Sequence, residues 1–229
     1  MRKLTGGSDP FSADWSYDIA MHPARLFHQT DDAALAALVA ERGLALVIGV
    51  VDGAPLIAQA PVLLSDRRLR FHLARGNALT AALSTPGARA LAVVAGPDAY
   101  VSPDWYGIDD QVPTWNYLSV EMEGPVTPLD AAGATSVLDD LSAQFEAALA
   151  PKPAWTRHKM TPGRFEAMLA MIVAFEMRIE RFEGTWKLSQ NKAPQAVEGA
   201  AAALEARSDS ASRDIAARMR QAASARQRA

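Results

Sequence analysis

The chain has 229 residues, 49% hydrophobic and 21% charged, a composition that can bury one sizeable core and favours one domain with additions over two full domains. Its formal net charge of −3 excludes a broad basic surface of the kind that neutralises many phosphates, so any contact with DNA has to be local. It contains no cysteine, which excludes disulfides, thiolate nucleophiles and cysteine-ligated metals, and no apolar run approaches the roughly 20 residues that span a bilayer, so no membrane partner is expected.

Residues 1–20 lack a sustained period and carry Gly6, Gly7 and Pro10, which reads as a flexible extension, with Met21 as a second candidate start. Met1 to Asp18 is too polar for a secretory signal, so the expected compartment is the cytoplasm. A helix is predicted from Thr30: Asp31 and Asp32 lie at its mouth, Leu35, Leu38 and Val39 repeat at helical spacing, and Gly43 ends it. Leu44 to Val51 reads as a strand, Asp52-Gly53 as a hairpin turn, and Pro55 to Leu64 as the returning strand, which turns again at Ser65 to Arg67.

Leu69 to Leu73 is predicted as a third strand, Ala78 to Ser84 as a short helix, and Ala88 to Ala95 as a strand buried on both faces. In Trp115 to Val126, Leu118, Val120 and Met122 alternate against Tyr117, Ser119 and Glu121, as on a strand with one core face. Two helices follow, Asp130 to Leu149 and Pro162 to Ala174, the second with Thr161 as N-cap. Phe175 to Phe182 closes the order as one long strand, running into Gly184, Trp186 and the segment Lys187 to Asn191.

Antiparallel strands with helices outside their order make the class α+β or mainly β, with a small barrel as the way to remove sheet edges. Pro194 opens an Ala-rich helical tail with thin apolar faces, suited to packing on a partner or to fraying, and interrupted at Ser208 to Ser212. The expected organisation is an extension over 1–20, a domain over 21–193 and a tail over 194–229. Arg207, Arg213, Arg218, Arg220, Arg226 and Arg228 make that tail the one local candidate for phosphate contacts, although a solvated helix is the plainer reading.

The chain has no Gly-rich dinucleotide loop, no P-loop and no nucleophile elbow. Its four histidines, at 22, 28, 72 and 158, lack the spacing of a helical zinc site, and Asp109 and Asp110 read as a solvated loop. Three clusters suit a ligand. In the first, Arg75 can hold a phosphate through its guanidinium fork and Asn77 can donate where the next helix begins, although a surface arginine and a helix cap explain the pair as well. The second joins Ser102, Trp105 and Tyr106 to Thr114, Trp115 and Tyr117 around one loop; aromatics with polar hydroxyls suit a flat heterocycle, and core packing explains them nearly as well. The third, Lys187, Ser189, Gln190 and Asn191, gathers donors where a strand ends, and a helix-capping loop is its alternative.

Several strings together carry a resemblance: Met-His-Pro at 21–23 with Phe27, the His-Leu-Ala-Arg-x-Asn segment ending at Asn77, Gly96 to Pro103, Val112 to Tyr117, and Glu183 to Asn191. Over Met21 to Asn191 the chain resembles the PaiB family of FMN-binding negative transcriptional regulators. The resemblance implies an FMN-binding split β-barrel related to pyridoxamine-phosphate oxidases, a homodimer with FMN at its interface, and a regulator that contacts DNA. By position it assigns Arg75 and Asn77 to the FMN phosphate, Ser102, Trp105, Thr114 and Trp115 to the cofactor's side, and Lys187, Ser189, Gln190 and Asn191 to its closure. No helix-turn-helix pattern accompanies it. The chain departs from the family at Gly107 to Gln111, a short acidic loop in place of a basic one, at Gln59-Ala60-Pro61, and at Met122. Two other functions stay open, an FMN-dependent oxidoreductase using NAD(P)H on a small substrate and a cofactor-free interaction protein.

Overall fold

The computed structural model describes residues 22–228, so the expected extension over 1–20 and the candidate start at Met21 lie outside the described residues. Asp31 caps the first helix, α1 (Asp32–Arg42), by accepting the Ala33 amide, and Gly43 ends it in the left-handed region at φ 60°. The predicted hairpins follow as β2 (Leu44–Val51), β3 (Ala54–Ser65) and β4 (Arg68–Ala74). Their two-residue turns, Asp52-Gly53 and Asp66-Arg67, have positive φ throughout, the sense that matches strand twist. Then come α2 (Ala78–Leu83), β5 (Arg89–Val101), β6 (Thr114–Pro128), α3 (Ala131–Ala147) and α4 (Arg164–Leu169). The chain continues through β7 (Ile172–Arg178), β8 (Arg181–Lys187), α5 (Pro194–Glu205) and α6 (Ser210–Arg228), while a short β1 (His28–Gln29) precedes α1.

The sheet order is β1-β8-β6-β5-β2-β3-β4-β7, and β7 pairs back onto β6. That last pairing closes a six-stranded antiparallel barrel, from which β8 and β1 extend as a flap beyond β6: a split barrel, as the sequence led us to expect. Inward residues alternate as the pleat requires, and Val47, Val62, Phe71, Val94, Val120 and Met177 are almost wholly excluded from water. The rings of Phe71 and Phe175 stack across β4 and β7 with centroids 5.5 Å apart. The side chains of α2 plug one end through Leu79 and Leu83. Outside, α3 seats Ala134, Val137 and Leu141 on Leu63 and Ala174.

Four expectations need correction. Residues 88–95 are not buried on both faces by this chain: Ala90, Ala92 and Val94 are buried, whereas Leu91 and Val93 are partly open and Ala95 is exposed. The strand also runs on to Val101 through a bulge between Ala95 and Asp98. The helix predicted over 162–174 occupies only Arg164–Leu169, and Gly163 rather than Thr161 stands at its start. From Ile172 the chain is already β7, because the register Ala74↔Ile172 to Arg68↔Arg178 gives those residues a ladder on β4 that a helix would forfeit.

The long strand predicted over 175–182 is two strands that run successively along one edge of β6, with Met177 opposite Val126 and Arg181 opposite Glu123. Between them the Ile179 amide donates to Arg67 O and the Glu180 amide to Glu123 O, so the break loses no hydrogen bonds at those two amides. A side chain at residue 124 would collide with the Arg178 carbonyl, which is why the strand carries glycine where the two pass. Finally, the tail neither frays nor awaits a partner. Ala196, Val197, Ala200, Ala201 and Leu204 of α5 and Ile215, Ala216 and Met219 of α6 are buried in the same core as the barrel. Small residues make this seat: a Cβ at Gly199 would stand 2.6 Å from the Trp105 carbonyl oxygen. No helix among the described residues is long and apolar enough to cross a membrane.

Candidate functional site

Where β5 leaves the barrel, Pro103–Tyr106 forms a single 3-10 turn. Tyr106 from that turn, Asn116 from the inner face of β6 and Ser189 just beyond β8 meet under the barrel's end. Tyr106 Oη lies 2.8 Å from Ser189 Oγ, Asn116 Nδ2 donates to the same oxygen at 2.9 Å, and the same amide lies 3.3 Å from Met219 Sδ of α6. Asn116 and Ser189 are buried, so this chain of contacts satisfies polar groups that water does not reach. Burial pushes the Tyr106 phenol above its ordinary value, against a smaller opposing pull from its bond to Ser189. Ser189 adopts φ 60°, a left-handed conformation unusual for a residue with a side chain.

Above this floor opens a cleft of about 280 Å³, walled by Phe27, Val112 and Tyr106 and bearing His22, Thr114, Lys187, Asn191 and Lys192. Lys187 Nζ donates to Thr114 Oγ1 at 2.7 Å. Lys192 Nζ donates to Gln111 Oε1 and sits over the Tyr106 ring, 5.3 Å from its centroid. The Ala24 amide donates to His22 Nδ1 at 3.0 Å, so the neutral imidazole carries its proton on Nε2. Burial, then Lys187 and His28, hold the His22 pKa below its ordinary value.

The ten residues expected to contact a cofactor fall into separate groups. Thr114, Lys187, Ser189 and Asn191 come together in the cleft. Gln190 lies beside it: its side chain accepts from the Leu188 amide and donates to Trp186 O, closing its own turn, and it lines a smaller depression with Val197 and Met219. Ser102 and Trp105 stand on the 3-10 turn, Trp105 partly buried against the core. Trp115 is 55% exposed on the outer face of β6, in edge contact with Tyr100 at 6.1 Å.

Arg75 lies elsewhere, in a groove with Leu129, Glu166, Ala170 and Ile172, where its Nε and Nη2 donate to Ala170 O at 2.8 Å and Ile172 O at 2.9 Å. Asn77 caps α2 by accepting the Leu79 amide, as its plainer reading had it. Tyr106 belonged to the aromatic cluster read from sequence, whereas His22, Asn116 and Lys192 were not singled out as ligand contacts. His22 stood in the Met-His-Pro string, Asn116 in the string from Val112 to Tyr117, and Lys192 one position beyond the string that ends at Asn191, so each had a signal in or beside it.

The outer face of β2 adds a second feature. Leu44, Leu46, Ile48 and Val50 form its outward row, with Ile57 of β3 opposite Ile48, and Leu91 and Val93 of β5 paired on the other side. Val50 is 67% and Ile57 58% exposed. This apolar face runs through the bulge of β5 to Tyr100 and Trp115, and by register to Tyr117, opposite Lys187. The donors and aromatics fit FMN chemically: ammonium, guanidinium and amide groups suit a phosphate, and an exposed aromatic corner suits a flat ring with a polar rim.

Comparisons with known proteins agree. Residues 21–181 match the family described as "Putative FMN-binding domain". The chain is 27% identical over 176 residues to the Bacillus subtilis (strain 168) protein named Protease synthase and sporulation protein PAI 2, covering 75% of this chain and 83% of that one. Among solved structures it is similar in fold to the FAD and heme binding protein from Mycobacterium smegmatis, with a TM-score of 0.52 at 22% identity, covering 70% of this chain and 73% of that one. It is likewise similar to the flavocytochrome Anf3 from Azotobacter vinelandii, with a TM-score of 0.52 at 15% identity, covering 70% of this chain and 69% of that one. A family match over most of the length, on a split barrel that carries these donors, makes the chain a member of this FMN-binding family: a PaiB-like flavin-binding protein whose cofactor is FMN.

Proposed function

We propose that the protein works in the cytoplasm as a homodimer that seats FMN between its copies and serves as a flavin-dependent regulator or sensor. The observation that carries this reading is the apolar outer face of β2 and β5. A strand with Leu44, Leu46, Ile48 and Val50 facing out and Ala45 and Val47 facing in has the composition of one covered on both sides, and a second copy supplies the missing cover. Two copies would also join donor sets that one chain keeps apart. Arg75 and Asn77 would take the FMN phosphate, Ser102, Trp105, Thr114 and Trp115 would stand beside the cofactor, and Lys187, Ser189, Gln190 and Asn191 would close its seat. FMN supplies one- and two-electron transfer and a visible absorbance. The test is gel filtration after incubation with FMN: flavin co-eluting with a dimer supports the reading, and a colourless monomer ends it.

For the regulator's contact with DNA, charge favours the segment between α3 and α4 over the tail. From Ala147 to Phe165 there is no acidic residue; Lys152 and Arg157 pair with Glu146 and Asp139 of α3, and His158, Lys159 and Arg164 make no ion pair among the described residues. In the tail, Arg218 is spent on Glu41 and Asp214, Arg220 on Glu198 and Glu205, and Arg207 on Asp209. Deleting residues beyond Ala200 would strip Leu204, Ile215 and Met219 from the core, so point changes are needed. Replacing Lys159 and Arg164 by glutamine should abolish retardation of DNA in a native gel, and retardation that survives refutes this placement.

A second reading, an FMN-dependent oxidoreductase, is favoured by the donor-lined cleft beside the aromatic corner, which leaves room for a small molecule. Steady NAD(P)H oxidation that requires added FMN would establish it. A flavin-free interaction protein keeps only the altered loop at 107–111 in its favour.

A further inference from the structure

Two ammonium groups share the cleft, and among the described residues neither has a counter-ion. Among the described residues no carboxylate pairs with Lys187 or Lys192, although both are partly buried, and none of the ten lining residues is acidic. Elsewhere on this protein the partly buried cations are neutralised: Arg181 binds Glu121, Glu123 and Glu183, and Arg218 binds Glu41 and Asp214. Lys187 and Lys192 are met here only by neutral groups, Thr114 and Gln111 with the Tyr106 ring, so two partly desolvated positive charges stay uncompensated by charge, a cost that is recovered when an anion enters.

The remaining lining groups have the same bias. Lys187 Nζ is held by Thr114 Oγ1, which fixes its position and leaves protons to donate. His22, its Nδ1 engaged by the Ala24 amide, offers Nε2–H as a further donor. Asn191 adds an amide, while Phe27 and Val112 supply apolar wall. At about 280 Å³ the space lies at the low end for an organic ligand.

We propose that the cleft binds the oxyanion group, phosphate or carboxylate, of a small organic molecule that the bound flavin serves, and that it is distinct from the seat of the cofactor's own phosphate. The link to the flavin rests on the proposed function, whereas anion binding does not. The ammonium groups of Lys187 and Lys192 bracket the oxyanion, His22 donates from one side, and the apolar walls take a short hydrocarbon body.

The test is calorimetric titration of the full chain with inorganic phosphate and with sodium acetate, on flavin-free and FMN-loaded protein, with the flavin absorbance followed in parallel. Saturable binding to both forms without release of FMN is expected, and the tighter of the two anions names the group. Lys192→Gln should weaken that binding about tenfold or more, with Lys192→Arg restoring most of it, and circular dichroism of both variants checks the fold. Phosphate that displaces FMN competitively, with Lys192→Gln weakening FMN and phosphate alike, would make the cleft the cofactor's phosphate seat and overturn the proposal. Absence of saturable binding to either form overturns it as well, whatever FMN does. Anion binding to a protein that takes no FMN would instead sink the flavin reading and leave the anion site standing.

Discussion

The hydroxyls of Tyr106 and Ser189, 83 residues apart in sequence, meet at 2.8 Å beneath the cleft, and Ser189 reaches that position at φ 60°. A left-handed backbone costs a residue with a side chain about 1–2 kcal/mol, so the bonds to Tyr106 and Asn116 must offset it. Ser189→Ala keeps the strained backbone and removes the bonds, and should lower stability by about 1–3 kcal/mol. Ser189→Gly removes both and should lose less. Denaturant unfolding compares them, and equal losses would mean that backbone strain contributes nothing here.

Arg75→Ala should weaken FMN binding by about 1.5–3 kcal/mol, the cost of losing a charged hydrogen bond. The arginine also holds the carbonyls of Ala170 and Ile172, so thermal unfolding of the flavin-free variant is needed to measure that structural loss separately. An unchanged FMN dissociation constant would remove Arg75 from the site.

A charge in the middle of the outer apolar face should separate the copies. Leu46→Glu leaves the inward row of Ala45 and Val47 intact, so the barrel should fold, elute as a monomer and lose its flavin. Elution as an undisturbed dimer would move the interface to another surface.

Asp209 precedes α6, accepts the Ser212 amide at 2.8 Å, and has its pKa drawn down from 3.8 to about 2 by that bond first and by Arg207 last. A carboxylate whose folded pKa is depressed stabilises above its unfolded value and loses that contribution as pH falls through the folded one. The start of α6 should therefore be insensitive from neutral pH down to 3.8 and loosen from there towards about 2. The Ser212 amide resonance followed against pH should report a midpoint near 2; one at the ordinary aspartate value would show that the cap does not form in solution.

Local signals named much of this fold. Asp31 and Gly43 bound α1, the turn at Asp52-Gly53 sets the first hairpin, and the alternation of Leu118, Val120 and Met122 marks the core face of β6. The boundaries that escaped have tertiary causes. Nothing between Leu169 and Ile172 breaks a helix; pairing with β4 does. No glycine or proline divides β7 from β8, since the break follows from one chain passing along β6 and across Gly124. An alanine-rich face looks weakly apolar, yet small residues let α5 approach the turn at Trp105 closely. The cleft was half legible. Strings of unusual wording contained Thr114, Lys187, Ser189 and Asn191, and His22 as well, but that His22 joins the others follows from β1, which pairs His28 with Thr185 and brings the start of the domain across β8.

The floor of the cleft also constrains how the protein comes to exist. Its bonds join residues 73, 83 and 103 positions apart, long loops whose closure is slow and yields little until the last partner arrives. During synthesis no nascent chain that stops short of Met219 can complete the contact with Asn116. The barrel strands can collapse earlier, but the polar floor at Asn116 stays unsealed until α6 has been made and has docked. The floor of this site is thus among the last parts of the described fold to be completed.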